Sequence, residues 1–173
     1  LSKSLGQSVI VDNVSGGGGA IASQTTAKAA PDGYTLMIAY VGTHGTNPAV
    51  RKLNYDALKD FTPIGRVCVV DYALTTGPAT STKTMGEYLQ WARDPKNKAS
   101  FGSPGAGTIP HFIGQGFTQR TRTDMVHVPY KGSALTMVDL MGGNVSLGVS
   151  PLADAIEHHR NGKVRILATT GSQ

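Results

Sequence analysis

Apolar and polar positions alternate along this chain in blocks short enough to predict alternating strands and helices. Ser8-Val9-Ile10-Val11 is a β-type run stopped by Asp12-Asn13 and by the glycines at 16–19. Residues 20–30 are alanine-rich with helical spacing and end at the turn Pro31-Asp32-Gly33. Residues 34–40, with Thr35-Leu36-Met37-Ile38-Ala39 at their heart, read as a buried strand. A further strand is expected around 65–70, after a polar loop at 42–48. Residues 74–82 carry no hydrophobic period and make the best domain boundary in the chain.

Past that boundary, Thr84 and Glu87 form a T-x-x-E capping box that starts a helix running to about Arg93, closed by Pro95. A strand–turn–helix unit then recurs three times. Strands at 100–103, 125–128 and 145–149 lead through Pro104-Gly105-Ala106-Gly107-Thr108, Pro129-Tyr130-Lys131-Gly132 and Ser150-Pro151. Helices at 109–119, 133–141 and 152–160 follow those turns, and 164–168 supplies a last strand. Such alternation implies a parallel sheet covered on both faces, with right-handed crossovers. Loops leaving the C-terminal strand ends then gather along one edge, where ligands bind.

Composition supports that picture. Of 173 residues, 39% are apolar and 16% charged, with 22 glycines, which suits a compact α/β protein with many tight turns and excludes disorder. The net charge of +5 favours anionic partners in general. The basic residues are scattered, however, and Arg120 and Arg122 have no interleaved aromatic as a stacking platform, so no nucleic-acid partner is expected. Cys68 is the only cysteine, which rules out an internal disulfide, and its apolar run Val67-Cys68-Val69-Val70 predicts a small core residue. No apolar stretch is long enough to span a membrane. The chain opens abruptly on Leu1-Ser2-Lys3, without a signal peptide, as a piece cut from a longer protein would.

Candidate chemistry lies in the three turns. Each leads directly into a helix, whose unpaired N–H groups and positive dipole end attract a carboxylate. Gly105 and Gly107 permit close backbone approach, and Thr108 either caps the helix or offers its hydroxyl; a tight turn needing positive φ explains the glycines equally well. Gly17, Gly19 and Ala22 satisfy G-x-G-x-x-A, but a dinucleotide site also needs an acid at the end of the next strand. Tyr40-Val41-Gly42 provides none, and Asp32 precedes that strand.

Histidines 44, 111, 127, 158 and 159 share no metal-ligand spacing, so no metal is expected. His127, inside a strand, reads as a hydrogen-bonded core residue. His44 and His111 either hydrogen-bond an anion or cap their own loops. Ser103 and Ser133 lie outside any G-x-S-x-G elbow, and the three turns contain no acid, so neither catalysis nor a cofactor is expected.

An ordered series of motifs covers essentially the whole chain: Pro31-Asp32-Gly33-Tyr34-Thr35-Leu36, Gly42-Thr43-His44 with Asn47-Pro48, and Lys59-Asp60-Phe61. It continues through Gly105-x-Gly107-Thr108-x-x-His111, Val126-His127-Val128-Pro129-Tyr130-Lys131-Gly132-Ser133 and Gly162-Lys163-Val164-Arg165 with Leu167-Ala168. The series resembles the Bug family, the extracytoplasmic solute receptors of tripartite tricarboxylate transporters. That resemblance implies a periplasmic-binding-protein-like (type II) flytrap. Its two α/β domains, with parallel or mixed sheets flanked by helices, close over a di- or tricarboxylate, an amino acid or an aromatic acid. It implies a carboxylate held mainly by backbone amides, hydroxyls and water, without a required arginine. Measured against the family, this chain is truncated at both ends. It carries part of domain one at 1–73, lacking the first strand and the C-terminal return, and most of domain two at 74–173. Where many members place an acid or amide, it has Ser150-Pro151, which puts the transfer of any one member's ligand preference in doubt.

The expectation is therefore a monomeric, periplasmic, non-enzymatic solute-binding protein that passes a small carboxylate to integral-membrane transporter subunits. The expected ligand contacts are Thr43, His44 and Asn47 from the first part, and Ser103, Gly105, Ala106, Gly107, Thr108, His111, Tyr130 and Ser150 from the second. Tyr130 is expected either to pack on the ligand and gate the cleft or to cap the core. The competing readings are a nucleotide-dependent oxidoreductase using Gly17, Gly19 and Ala22, and a ligand sensor serving a signalling partner.

Overall fold

The computed structural model describes residues 1–171; positions 172 and 173, the end of the expected second domain, lie outside the described residues. Residues 1–71 hold three short helices, α1 (Ser2–Leu5), α2 (Ala20–Ala27) and α3 (Asn47–Val50). A 3-10 turn at Gly17–Gly19 enters α2, and a π-helical turn at Gly42–Thr46 enters α3. The three β-type runs of this segment form no ladder among the described residues. Their side chains stand in solvent: Ile10 is 88% exposed, Ile38 80% and Val67 81%. Cys68 is exposed as well, against the core position expected for it. Apolar alternation marks a segment as fit for a sheet, but a strand forms only where a neighbour supplies hydrogen bonds and side-chain contacts.

The remainder follows the expected alternation closely. In chain order it comprises β1 (Tyr72–Thr76), α4 (Met85–Arg93), β2 (Ser100–Ser103), α5 (Ile109–Thr121) and β3 (Val126–Pro129). Then come α6 (Ser133–Met141), β4 (Leu147–Pro151), α7 (Leu152–Arg160) and β5 (Arg165–Thr169). The sheet order is β3-β2-β4-β1-β5. Strand β2 pairs in parallel with β3 and β4, whereas β1 runs antiparallel between β4 and β5. The sheet is thus mixed rather than wholly parallel. Part of the stretch without hydrophobic period, Leu74-Thr75-Thr76, belongs to β1 and is buried. Threonine hides a strand from a hydrophobicity pattern while its β-branched side chain fits one. Here Thr76 Oγ1 donates to the Arg165 carbonyl at 3.4 Å.

Alternate side chains feed two cores. Leu74, Phe101, Leu147 and Val149 pack with Tyr88 and Ala92 of α4 and Ile113 and Phe117 of α5. On the other face, Ala73 and Val145 pack with Met137 and Leu140 of α6 and Ala155 of α7. The Phe101 ring lies against the backbone of Gly114, where any side chain would collide with it. Helix α5 therefore sits close on β2, which sets the position of the turn between them.

Helix α4 starts at the expected capping box. The Thr84 hydroxyl accepts from the Glu87 N–H at 3.2 Å, and the Glu87 carboxylate accepts from the Lys83 N–H at 2.6 Å. Thr84→Ala should lower unfolding stability by about 1 kcal/mol, read as a smaller urea midpoint at unchanged slope, while Thr84→Ser should leave the midpoint nearly in place.

Candidate functional site

The parallel strands end together. Ser103 of β2 is in register with Pro129 of β3, and Gly102 with Gly148 of β4, so the three following turns emerge on one edge. The first two are stitched together: Tyr130 N–H donates to the Ser103 carbonyl and Gly132 N–H to the Pro104 carbonyl, both at 2.9 Å. Helices α5 and α6, which follow them, have no side-chain cap at their starts. The third helix start is less open, because Leu152 N–H donates to the Asp71 carbonyl at 2.8 Å.

The 104–108 turn is built around the carbonyl of Gly105. Ser103 Oγ lies 3.2 Å from it, and Thr108 Oγ1 donates to it at 2.7 Å. A hydroxyl has one proton, so that of Thr108 points inward at the turn. Ser103 Oγ also lies 2.7 Å from His127 Nε2. The one serine proton therefore serves either the Gly105 carbonyl or the imidazole, according to the His127 tautomer. His127 is the hydrogen-bonded strand residue expected, stacked on Phe101 at 4.7 Å and on His111 at 4.1 Å. His111 in turn accepts from Gly107 N–H through Nδ1 at 3.1 Å, so it caps its own loop.

The segment 1–71 lies directly against this turn. Asn47, which opens α3, and Arg51, the extended residue that follows it, both reach back to the glycines. Asn47 Nδ2 donates to the Gly18 carbonyl at 3.0 Å and Arg51 Nη1 to the Gly17 carbonyl at 3.2 Å. Arg51 Nη2 also reaches the Ala106 carbonyl at 3.2 Å, and Thr46 Oγ1 lies 3.4 Å from the Gly107 carbonyl. Gly107 has φ +78°, and a side chain there would strike the Arg51 guanidinium.

The glycines at 17–19 have positive φ throughout, and a Cβ on Gly19 would come within 2.6 Å of Thr43 Cγ2. Their backbone freedom serves close approach of the chain to itself. Tyr40 and Asn47 donate to the Gly18 carbonyl and Arg51 to the Gly17 carbonyl, and Thr43 packs on Gly19.

Of the residues singled out from sequence, Asn47, Gly105, Ala106, Gly107, Thr108 and His111 meet at this junction, with Ser103 beneath it. Thr43 backs the glycine turn, its hydroxyl donating to the Tyr40 carbonyl at 2.9 Å. His44 packs edge-on against Phe61 at 4.6 Å and, with Arg51 and Tyr55, lines an open depression of about 490 Å³. Tyr130 and Ser150 turn to the α6 face. The Tyr130 hydroxyl donates to Asp139 Oδ2 at 2.8 Å, and its pKa is pushed up to about 12 by burial and by that carboxylate. Ser150 is fully buried, its hydroxyl 3.8 Å from Met137 Sδ. Arg51 and Thr46 escaped the sequence reading.

Across residues 1–173 the sequence matches the tripartite tricarboxylate transporter family receptor. The chain belongs to this receptor family. A UPF0065 protein of Bordetella bronchiseptica is 35% identical over 98% of this chain and 50% of its own length. Protein BugT of Bordetella pertussis is 32% identical over 99% and 53%. Among solved structures, Rpa4515 of R. palustris with adipate superposes with a TM-score of 0.94 at 33% identity, over 99% of this chain and 58% of that one. MatC of Rhodopseudomonas palustris with bound malate gives 0.87 at 27%, over 99% and 59%. The chain therefore spans about half the length of the curated relatives it matches. The receptor family and its solved members are solute-binding proteins, not enzymes. No helix among the described residues is long and apolar enough to cross a membrane.

Burial, and secondarily the neighbouring His111, lowers the His127 pKa to about 4. In the unfolded chain the imidazole binds its proton near pH 6.5. Unfolding therefore takes up a proton between those values, so stability is full above about pH 6.5 and falls as pH drops towards 4. Urea midpoints at pH 7, 5.5 and 4.5 should decline less steeply in His127→Gln than in the wild type; parallel declines would rule out this residue as the source.

Proposed function

We infer that this receptor-family chain supplies much of a two-domain protein that captures a small carboxylate between residues 1–73 and 74–173 and hands it to membrane transporter subunits. The observation carrying this reading is the stitched pair of turns at 104–108 and 129–132. Two helix starts without side-chain caps open from it, on the sheet edge that faces the glycine turn. Oriented N–H groups at such starts neutralise an anion without a counter-charge. The adipate and malate held by family members support a carboxylate as the solute class. Of the expected contacts, His44, Gly105, Ala106, Gly107, Thr108 and His111 are the proposed ones, whereas Thr43, Asn47, Ser103, Tyr130 and Ser150 are engaged within the fold and support them. Because the hydroxyl protons of Ser103 and Thr108 are engaged within the fold, the amides of the first turns of α5 and α6 act as the principal donors. The protein works as a periplasmic monomer.

Calorimetric titration of the full-length protein with adipate, malate and NAD tests this. A carboxylate should bind and NAD should not; a response to NAD alone would replace the receptor reading with the nucleotide one. At a ligand concentration 100 times Kd, binding should add about 2.7 kcal/mol of stability. Gly107→Val should weaken carboxylate binding at least tenfold and Lys163→Ala less than twofold, and equal effects would move the site away from the 104–108 turn.

A further inference from the structure

The peptide between Ala106 and Gly107 is held from both sides. Its carbonyl accepts from Arg51 Nη2 at 3.2 Å, and its N–H donates to His111 Nδ1 at 3.1 Å. In a trans peptide these two groups point in opposite directions, so partners on opposite sides fix the plane of the unit. The next carbonyl, that of Gly107, lies 3.4 Å from the Thr46 hydroxyl, whose shorter contact is the Gly42 carbonyl at 3.2 Å. Arg51 reaches the turn while bonded to Gly17, so one planar guanidinium joins two backbone carbonyls from stretches far apart in sequence. Lysine, with a point charge on a flexible stem, lacks that fork.

Asn47 completes the junction. It is fully buried, and its Oδ1 has no hydrogen-bond partner although Nδ2 is bonded to Gly18. A Cβ on Gly107 would lie 3.2 Å from that Oδ1. The amide is therefore sealed between the glycine turn and the 104–108 turn, and desolvating an unpaired acceptor carries a cost. That cost is borne only while the two turns remain in contact.

We propose that Arg51 is a positioning residue for ligand capture: it locks the 16–19 and 104–108 turns together by their carbonyls and so holds in place the backbone that leads into the first turn of α5. This deepens the receptor reading and rests on it for the ligand, though not for the lock itself. Release of the lock frees the Ala106–Gly107 peptide to rotate and exposes Asn47 to water. The lock thus helps to hold a closed state, and its loss should act on ligand dissociation more than on association.

Hydrogen–deuterium exchange and calorimetry on the full-length protein and its Arg51→Ala and Arg51→Lys variants separate the two ideas. In Arg51→Ala, amides at 105–108 should exchange about tenfold faster in the ligand-free protein, with those of β4 unchanged. The Kd for whichever of adipate or malate the wild type binds should rise about tenfold through a faster off-rate. Arg51→Lys should recover part of both effects. Unchanged exchange at 105–108 in Arg51→Ala overturns the lock whatever the binding data show. Faster exchange throughout the sheet also overturns it, since Arg51 would then be a general stabiliser. If the wild type binds neither acid while the exchange differs as expected, the lock stands and the carboxylate reading falls.

Discussion

Parallel pairing of β2 with both β3 and β4 is the constraint from which the rest follows. Parallel neighbours cannot be joined by tight hairpins, so each connection must cross the sheet through a helix. The strands consequently finish on the same edge, and every turn that leaves them opens there. Two cores, one under α4 and α5 and the other under α6 and α7, hold that geometry from both faces. The closeness of α5 to β2, enforced by Phe101 against Gly114, carries the constraint into the 104–108 turn.

Within the turn, polar groups divide their labour in a way that residue types alone do not show. Hydroxyls, the obvious hydrogen-bonding groups, are committed to shaping the backbone around the Gly105 carbonyl. The imidazoles of His111 and His127 are stacked, and burial lowers both pKa values, so the environment favours their uncharged forms. What remains to meet an anion is backbone amide, whose direction depends on how each peptide is rotated. Recognition in such a site is a property of main-chain orientation, and the side chains act on it indirectly.

Most of the second half was legible from sequence because its signals are local. The Thr84–Glu87 box, the glycines after the turns and the prolines at strand ends all act within a few residues, and the elements appear within a residue or two of their expected bounds. The antiparallel course of β1 was not legible, because Thr75 and Thr76 look like linker residues and their partners lie far along the chain. For residues 8–11, 34–40 and 65–70 the pattern spoke only of suitability for a sheet. Asn47, Gly107 and His111 were readable as candidates through their loops and the family likeness. Arg51 was not, since its role depends on two carbonyls brought together by the fold.

Strand β1 has a further consequence, for biogenesis. Both its neighbours, β4 and β5, come much later in the sequence. On a ribosome β1 emerges well before either of them, and its backbone groups must wait in water or with a chaperone. The β2–α5–β3 and β3–α6 units can assemble from nearby sequence meanwhile. Pairing of β1 therefore waits for β4 and β5, and it closes a longer loop than the local units do.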